Sequence, residues 1–307
     1  MTFVQSSMAA WIAQIQYFEQ FRWECAKYGS EWDAVERRKV TGLRDRLAMA
    51  TPFYIAPPIV EIIRHAARSI PPWTLRREDL LTPHSFIHWA TPIPIRLKGG
   101  ENDEKRADLV GTVLSETTLV DSLPSSLEGF HESHEPANAL AAVALFKIVE
   151  PMVTEEGHVH AHGLIKYFDQ WAFGDAQPDG PDTSDHWSLR QQIWPLLFSL
   201  LAFLRQRIIR RERVQSDRAS QKIAGRAGLG DRPVEIVTLR TTGSKHSEGD
   251  NAVAVAWSCR WWVMGHWRQQ RCGQRGADRR PTWIAPYVKG PETKPMRARQ
   301  RMFAVVR

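Results

Sequence analysis

Apolar residues recur at helical spacing over the first fifty positions. Trp11, Ile12, Ile15, Phe18 and Phe21 come at mainly three-residue steps, which predicts a helix with one buried face. Gly29 ends it and Ser30 caps a second helix, running from Glu31 to Ala50 without a proline. Pro52, Pro57 and Pro58 then break the pattern. Residues 57–70 predict a short helix with prolines in its first turn. Its inner face is Ile59, Ile62, Ile63 and Ala66, its outer face Glu61, Arg64 and Arg68, and Pro71–Pro72 ends it.

The period then changes to two. Ile87, Trp89, Ile93, Ile95 and Leu97 share one face of an extended segment over 86–97. Pro92 and Pro94 fall on the other face and mark an edge strand. Residues 107–114 predict another strand, Leu123 to Phe130 is turn material, and the alanine-rich run Ala137 to Val149 predicts a buried helix closed by Pro151. Residues 173–185 form a polar loop. Trp187 to about Ala219 is the longest predicted helix, kinked or started by Pro195. Leu189, Ile193, Leu196, Leu197, Leu200 and Leu204 form its apolar side, and it becomes basic at Arg205, Arg207, Arg210, Arg211, Arg213 and Arg218. Gly225, Gly228 and Gly230 end it. Short β-type runs follow at 234–239, 252–257, 261–267, 283–288 and 302–306.

Long helices followed by short strands predict an α+β chain, with a helical amino-terminal body and a small mostly antiparallel sheet in the carboxy-terminal third. Three regions follow: an acidic mixed body over 1–185, a long amphipathic-to-basic helix and linker over 186–232, and a basic Trp/Arg-rich β region over 233–307. The charge is divided along the same axis. Residues 1–200 hold 18 Lys or Arg against 26 Asp or Glu, a net of −8, whereas residues 201–307 hold 23 against 8, a net of +15. Three widely spaced cysteines, Cys25, Cys259 and Cys272, suit a reducing compartment. Met1 to Ala10 lacks a signal-like core, and the apolar run Ile193 to Leu204 is too short to span a bilayer. The expectation is a soluble cytoplasmic protein with no membrane partner; oligomeric state is left open.

The densest chemistry lies in Arg260-Trp-Trp-Val-Met-Gly-His-Trp-Arg-Gln-Gln-Arg271, followed by Arg275, Arg279, Arg280, Trp283, Lys289 and Lys294. Aromatics interleaved with arginine suit exposed bases and phosphates. Arg260, Trp261, Trp267, Arg268, Arg271, Arg279, Arg280 and Lys289 form the expected RNA or DNA surface, with Arg207, Arg210 and Arg211 on the basic helix as a second part. That helix has other readings: a solvated end, contact with an acidic partner, or docking on the acidic body. Alternation also brings His266 and Arg268 to one side, with Arg271 reaching them from a following turn. Such a group serves metal-free RNA cleavage, His266 exchanging a proton and Arg268 stabilising developing charge. Against both stands an ordinary sheet core of tryptophans covered by arginine stems.

Gly265-His-Trp-Arg-Gln-Gln270 and Trp283-Ile-Ala-Pro-Tyr-Val-Lys-Gly-Pro291 resemble a carboxy-terminal pattern in proteins of unassigned function encoded by actinobacteria and their phages and plasmids. Leu123-Pro-Ser-Ser-Leu-Glu-Gly-Phe130 is similar to a middle segment of the same proteins. The resemblance covers these short motifs and implies a bacterial, mobile-element context, with no fold or activity to carry over.

Other constellations are weaker. His158, His160 and His162 alternate after Glu155 and Glu156, but residues two apart on a flat strand rarely converge on one tetrahedral ion. His131 and His134 sit in a segment cut short by Pro136. Asp175, Asp179, Asp182 and Asp185 lack the glutamate that ends a calcium loop. Gly225, Gly228 and Gly230 carry no Gly-Lys-Ser or Gly-Lys-Thr. No metal and no cofactor is expected. The sequence thus points first to a nucleic-acid-associated accessory or regulatory protein, then to an interaction module for an acidic protein, and last to a metal-free nuclease or nucleic-acid-modifying toxin.

Overall fold

A computed structural model describes residues 45–99, 103–118, 138–148, 152–153, 159–160, 164–172, 185–226, 232–240 and 258–297. The chain divides into two units, Met1–Arg240 and Thr241–Arg307.

In the first unit, strand β1 (Thr51–Ile55) leads into helix α1 (Pro57–Ala66) and then into β2 (His84–Gly99). β3 (Asp103–Thr118), β4 (Asn138–Ile148), a two-residue pair β5 (Met152–Val153) and β6 (Val159–His160), and β7 (Leu164–Ala172) follow. Helix α2 (Asp185–Leu204), β8 (Ile209–Val214), helix α3 (Arg218–Arg226) and β9 (Val234–Leu239) complete it. Seven strands form one mixed sheet in the order β7-β4-β3-β2-β1-β9-β8. β1 runs parallel to β2 and β9, and the remaining pairs are antiparallel.

This sheet overturns the expected helical amino-terminal body with its sheet confined to the carboxy-terminal third. Three segments account for the difference. Within Ala137 to Val149, expected as a buried helix, Asn138–Ile148 form strand β4, laddered to β3 and β7. Leu140, Ala142 and Ala144 are buried on one face and Leu145 on the other, and a strand buried on both faces has the continuous apolar run of a buried helix. The helix expected to continue through Arg205 to Arg218 stops at Leu204, and Ile209 to Val214 become an edge strand. β9, expected in the basic β region from 233, is instead a parallel neighbour of β1.

Strand alternation gives the sheet two covered faces. On one, Tyr54, Phe86, Val113, Leu145 and Val234 pack with Leu47 and Ala50, from the helical end at 45–49, and with Ala224 of α3. On the other, Phe53, Ile55, Ile87, Trp89 and Val237 are buried, and α1 and α2 pack on β2 and on each other. α1 begins at Pro57 as expected and buries Ile59, Val60, Ile63 and Ala66. Trp89 donates its indole N–H to Thr112 Oγ1 at 3.0 Å inside this layer, satisfying a buried donor.

Pro92 and Pro94 lie where β2 has outrun β1. β1 pairs with Ser85 to Trp89 only, and β2 continues against β3 alone after a bulge between His88 and Ile93. A strand central in its first half is thus an edge in its second, and proline is tolerated there. Gln192 of α2 caps that edge, donating Nε2 to Arg96 O and accepting from Arg96 N through Oε1, each at 2.9 Å. Among the described residues, no helix is long and apolar enough to cross a membrane.

In the second unit, β10 (Trp261–Val263) pairs antiparallel with β13 (Tyr287–Lys289), and β11 (His266–Cys272) with β12 (Asp278–Ile284). The interruptions, Met264–Gly265 and Ala285–Pro286, are equal in length, so one register runs through a single two-stranded ribbon. Its root is closed by Arg260 N–H donating to Pro295 O at 2.8 Å and Arg297 N–H donating to Arg260 O at 2.7 Å. Its tip is the turn Gly273–Ala277, with Gly273, Arg275 and Gly276 at positive φ.

Candidate functional site

The ribbon collects most of the residues that the sequence marked for nucleic acid. Residues 258–297 hold nine Lys or Arg against two Asp or Glu, a net of +7. Cross-strand partners share a face, so the register sorts their side chains. His266, Arg268, Gln270 and Cys272 stand with Ile284, Thr282, Arg280 and Asp278; Trp267, Gln269 and Arg271 stand with Trp283, Pro281 and Arg279. Arg271 and Arg279 are direct partners. Arg268, Arg271, Arg275 and Arg279 are all exposed, and none has an ion-pair partner among the described residues.

The face with Arg271 is also the better packed. Trp267 and Trp283 meet edge to face, with centroids 5.3 Å apart at 70°. Trp283 is 4% exposed, and its ring lies across Gly265, where an added Cβ would come within 2.4 Å of Trp283 Cζ2. At the root, Lys289 Nζ stands 5.9 Å from the ring centroid of its cross-strand partner Trp261. Arg260 is half-buried there, and Trp262 projects outward, 51% exposed, as do Met264, Tyr287, Val288 and Met296. The exposed apolar side chains therefore gather at the root, among Arg260, Lys289, Lys294 and Arg297, while the tip is cationic.

The suggested catalytic trio does not assemble. His266 and Arg268 share a face, while Arg271 lies within β11 on the opposite one, because an odd step along a strand reverses the side chain. His266 is exposed and its Nδ1 is 3.0 Å from Met264 O, the tautomer that donates to this carbonyl leaving Nε2 outward. Cys259 and Cys272 are free thiols.

The other marked arginines belong to the first unit. Arg207 is in the turn after α2, and Arg210 and Arg211 lie on edge strand β8 rather than on a helix. Arg210 pairs with Glu212 at 3.1 Å and Arg213 with Glu235 at 2.8 Å. Arg205 pairs with Asp79, a carboxylate 1% exposed that also accepts Arg76 N–H at 2.9 Å. A charged edge strand resists pairing with another chain, which gives these arginines a structural use. His158, His162, His131, His134, Asp175, Asp179 and Asp182 lie outside the described residues, as do Cys25, Gly228 and Gly230.

No family model, curated protein or solved structure matches the chain.

Two features of the first unit escaped the sequence reading. His84 and His88 stand on one face of β2 with Tyr54 opposite His88, rings 5.5 Å apart. His84 Nδ1 is 2.7 Å from Ser115 Oγ, which also donates to Glu116 O at 3.2 Å. Burial lowers the pKa of both histidines; at His84 the Arg46 and Arg232 charges lower it further, partly offset by Glu116. Burial raises that of Tyr54. The contact ties β2 to β3 at the directly paired positions His84 and Ser115. The spacing 84, 86, 88 was the signal for it. The second feature is a groove of about 520 Å³ beside the β2 edge, between Arg64 and Arg68 on one side and Gln191 and Leu196 on the other.

Proposed function

We propose that this chain is a nucleic-acid-associated accessory or regulatory protein that binds through the basic ribbon of its second unit. The observation that carries the reading is the Arg271–Arg279 pair, two exposed guanidiniums placed opposite each other, neither in an ion pair among the described residues. Like charges facing each other across a ribbon disfavour the fold, and a bound phosphate turns that cost into attraction. Arg268 and Arg275 add to the same potential, which draws a polyanion from a distance and exchanges condensed counterions for protein contacts. Two of the three short motifs that resemble phage- and plasmid-encoded proteins, at 265–270 and 283–291, fall in this ribbon, and a mobile-element origin belongs to the same proposal.

An acidic protein satisfies the same charges. The two are separated by capturing the full chain from bacterial lysate with and without nuclease treatment. Loss of the co-purifying material on nuclease treatment supports the nucleic-acid reading, and retention of an acidic protein contradicts it.

A further inference from the structure

We propose that the ribbon enters the major groove of B-form duplex DNA tip first, its two faces meeting the phosphates that wall the groove. This rests on the nucleic-acid reading above and adds the form of the ligand.

The cations are on both faces. Arg268 projects from one, Arg271 and Arg279 from the other, and Arg275 stands at the apex. A surface that tracks one phosphate backbone needs cations on one face only. A groove presents two rows of phosphates, and a two-stranded ribbon basic on both sides matches them. The B-form major groove, about 12 Å wide, admits such a ribbon, whereas the deep and narrow major groove of A-form RNA excludes it.

The aromatic rings are arranged against the alternative. Binding of single strands uses exposed rings on which bases stack. Trp267 and Trp283 are committed to each other, Trp283 is buried, and Trp261 lies beside Lys289. Trp262 is widely exposed, but it sits in β10 at the root, away from the arginine tip.

The apex supplies a third observation. Arg275 has φ 55°, ψ 19°, flanked by Gly273 at φ 76° and Gly276 at φ 71°. Glycine or asparagine takes this left-handed conformation readily, and a long L side chain does so at a cost. Here it sets an arginine in the turn at the ribbon's apex, a conformation of the kind that clusters at ligand contacts.

The test is fluorescence anisotropy of the full-length protein with labelled B-form duplex DNA, duplex RNA and single-stranded DNA, each titrated with salt. Duplex DNA is expected to bind tightest. Arg268→Ala is expected to make the slope of log K against log salt shallower by about 0.9, and the Arg271→Ala/Arg279→Ala double variant by about 1.8. The Arg271→Lys/Arg279→Lys variant should keep the wild-type slope, showing that loss in the alanine variant is loss of charge and not of fold. Trp262→Ala should leave duplex affinity unchanged. Tighter binding of single strands or duplex RNA, loss of affinity in Trp262→Ala, or an effect from only one face would overturn the inference while leaving nucleic-acid binding intact. Absence of binding to all three ligands would overturn both.

Discussion

Arg271 on β11 and Arg279 on β12 are cross-strand partners, with Cβ atoms of such partners about 4.5–5.5 Å apart. Their repulsion makes a prediction that separates stability from binding. Arg279→Glu creates an opposite-charge pair and is expected to stabilise the second unit by roughly 0.5 kcal/mol while weakening polyanion binding. Urea unfolding followed by tryptophan fluorescence, beside a binding titration, checks both signs. A variant that is less stable and binds equally well contradicts the role given to the pair.

Gly265 holds the crossing of the Trp283 ring over the ribbon. Gly265→Ala is expected to destabilise the second unit by about 1–3 kcal/mol, since the neighbour within 2.4 Å is an indole carbon in a buried ring. Gly225, near the end of α3, has nothing within 4 Å of an added Cβ. Gly225→Ala should therefore be neutral or stabilising by up to about 1 kcal/mol. Thermal melts of the two variants give the comparison.

Half-buried His84 and His88 make the first unit sensitive to acid. Their folded pKa values lie below the usual 6.5. Between the folded value and 6.5 the unfolded chain binds more protons, so stability rises with pH across that window and is lost as pH falls below about 6.5. Urea midpoints are expected to fall between about pH 7.5 and pH 5. His88→Phe, which removes one of the two ionisable rings, should flatten this dependence; an unchanged pH profile would show that His88 does not contribute.

Thr112 has one partner that matters, the indole of Trp89. Thr112→Val keeps the shape but leaves the buried N–H without an acceptor, and is expected to cost about 1–3 kcal/mol. Thr112→Ser, which retains the hydroxyl, should recover the hydrogen-bonded part. Chemical denaturation of both variants measures the difference.

The parts of this structure legible in the sequence are those with an unambiguous period. α1 was marked by paired prolines and an apolar stripe, and β2 by alternation from Ile87 to Leu97. β4 is not legible because Ala139 to Leu145 is apolar at every position, and its place inside the sheet, between β3 and β7, leaves no polar face to reveal a period of two. β8 failed for the opposite reason: Arg210 to Arg213 are charged on both sides of an exposed edge, so no apolar alternation announces a strand after the helix ends at Leu204. In the candidate site, alternation correctly put His266 with Arg268. The opposed Arg271–Arg279 pair was not visible, because it depends on the length of the turn from Gly273 to Ala277, which sets the register. The Gln192 clasp on Arg96 joins residues distant in sequence and left no local signal.

The salt dependence of nucleic-acid binding by the full chain, compared with its Arg271→Glu/Arg279→Glu variant, tests whether the ribbon is the nucleic-acid surface. Wild type is expected to bind at low salt and to lose affinity steeply as salt rises. The variant should bind more weakly, with a slope shallower by about 1.8 from the two phosphate contacts removed. Equal affinity and equal slope for the two proteins, or no binding by either at low salt, would contradict the assignment of the ribbon as a nucleic-acid surface.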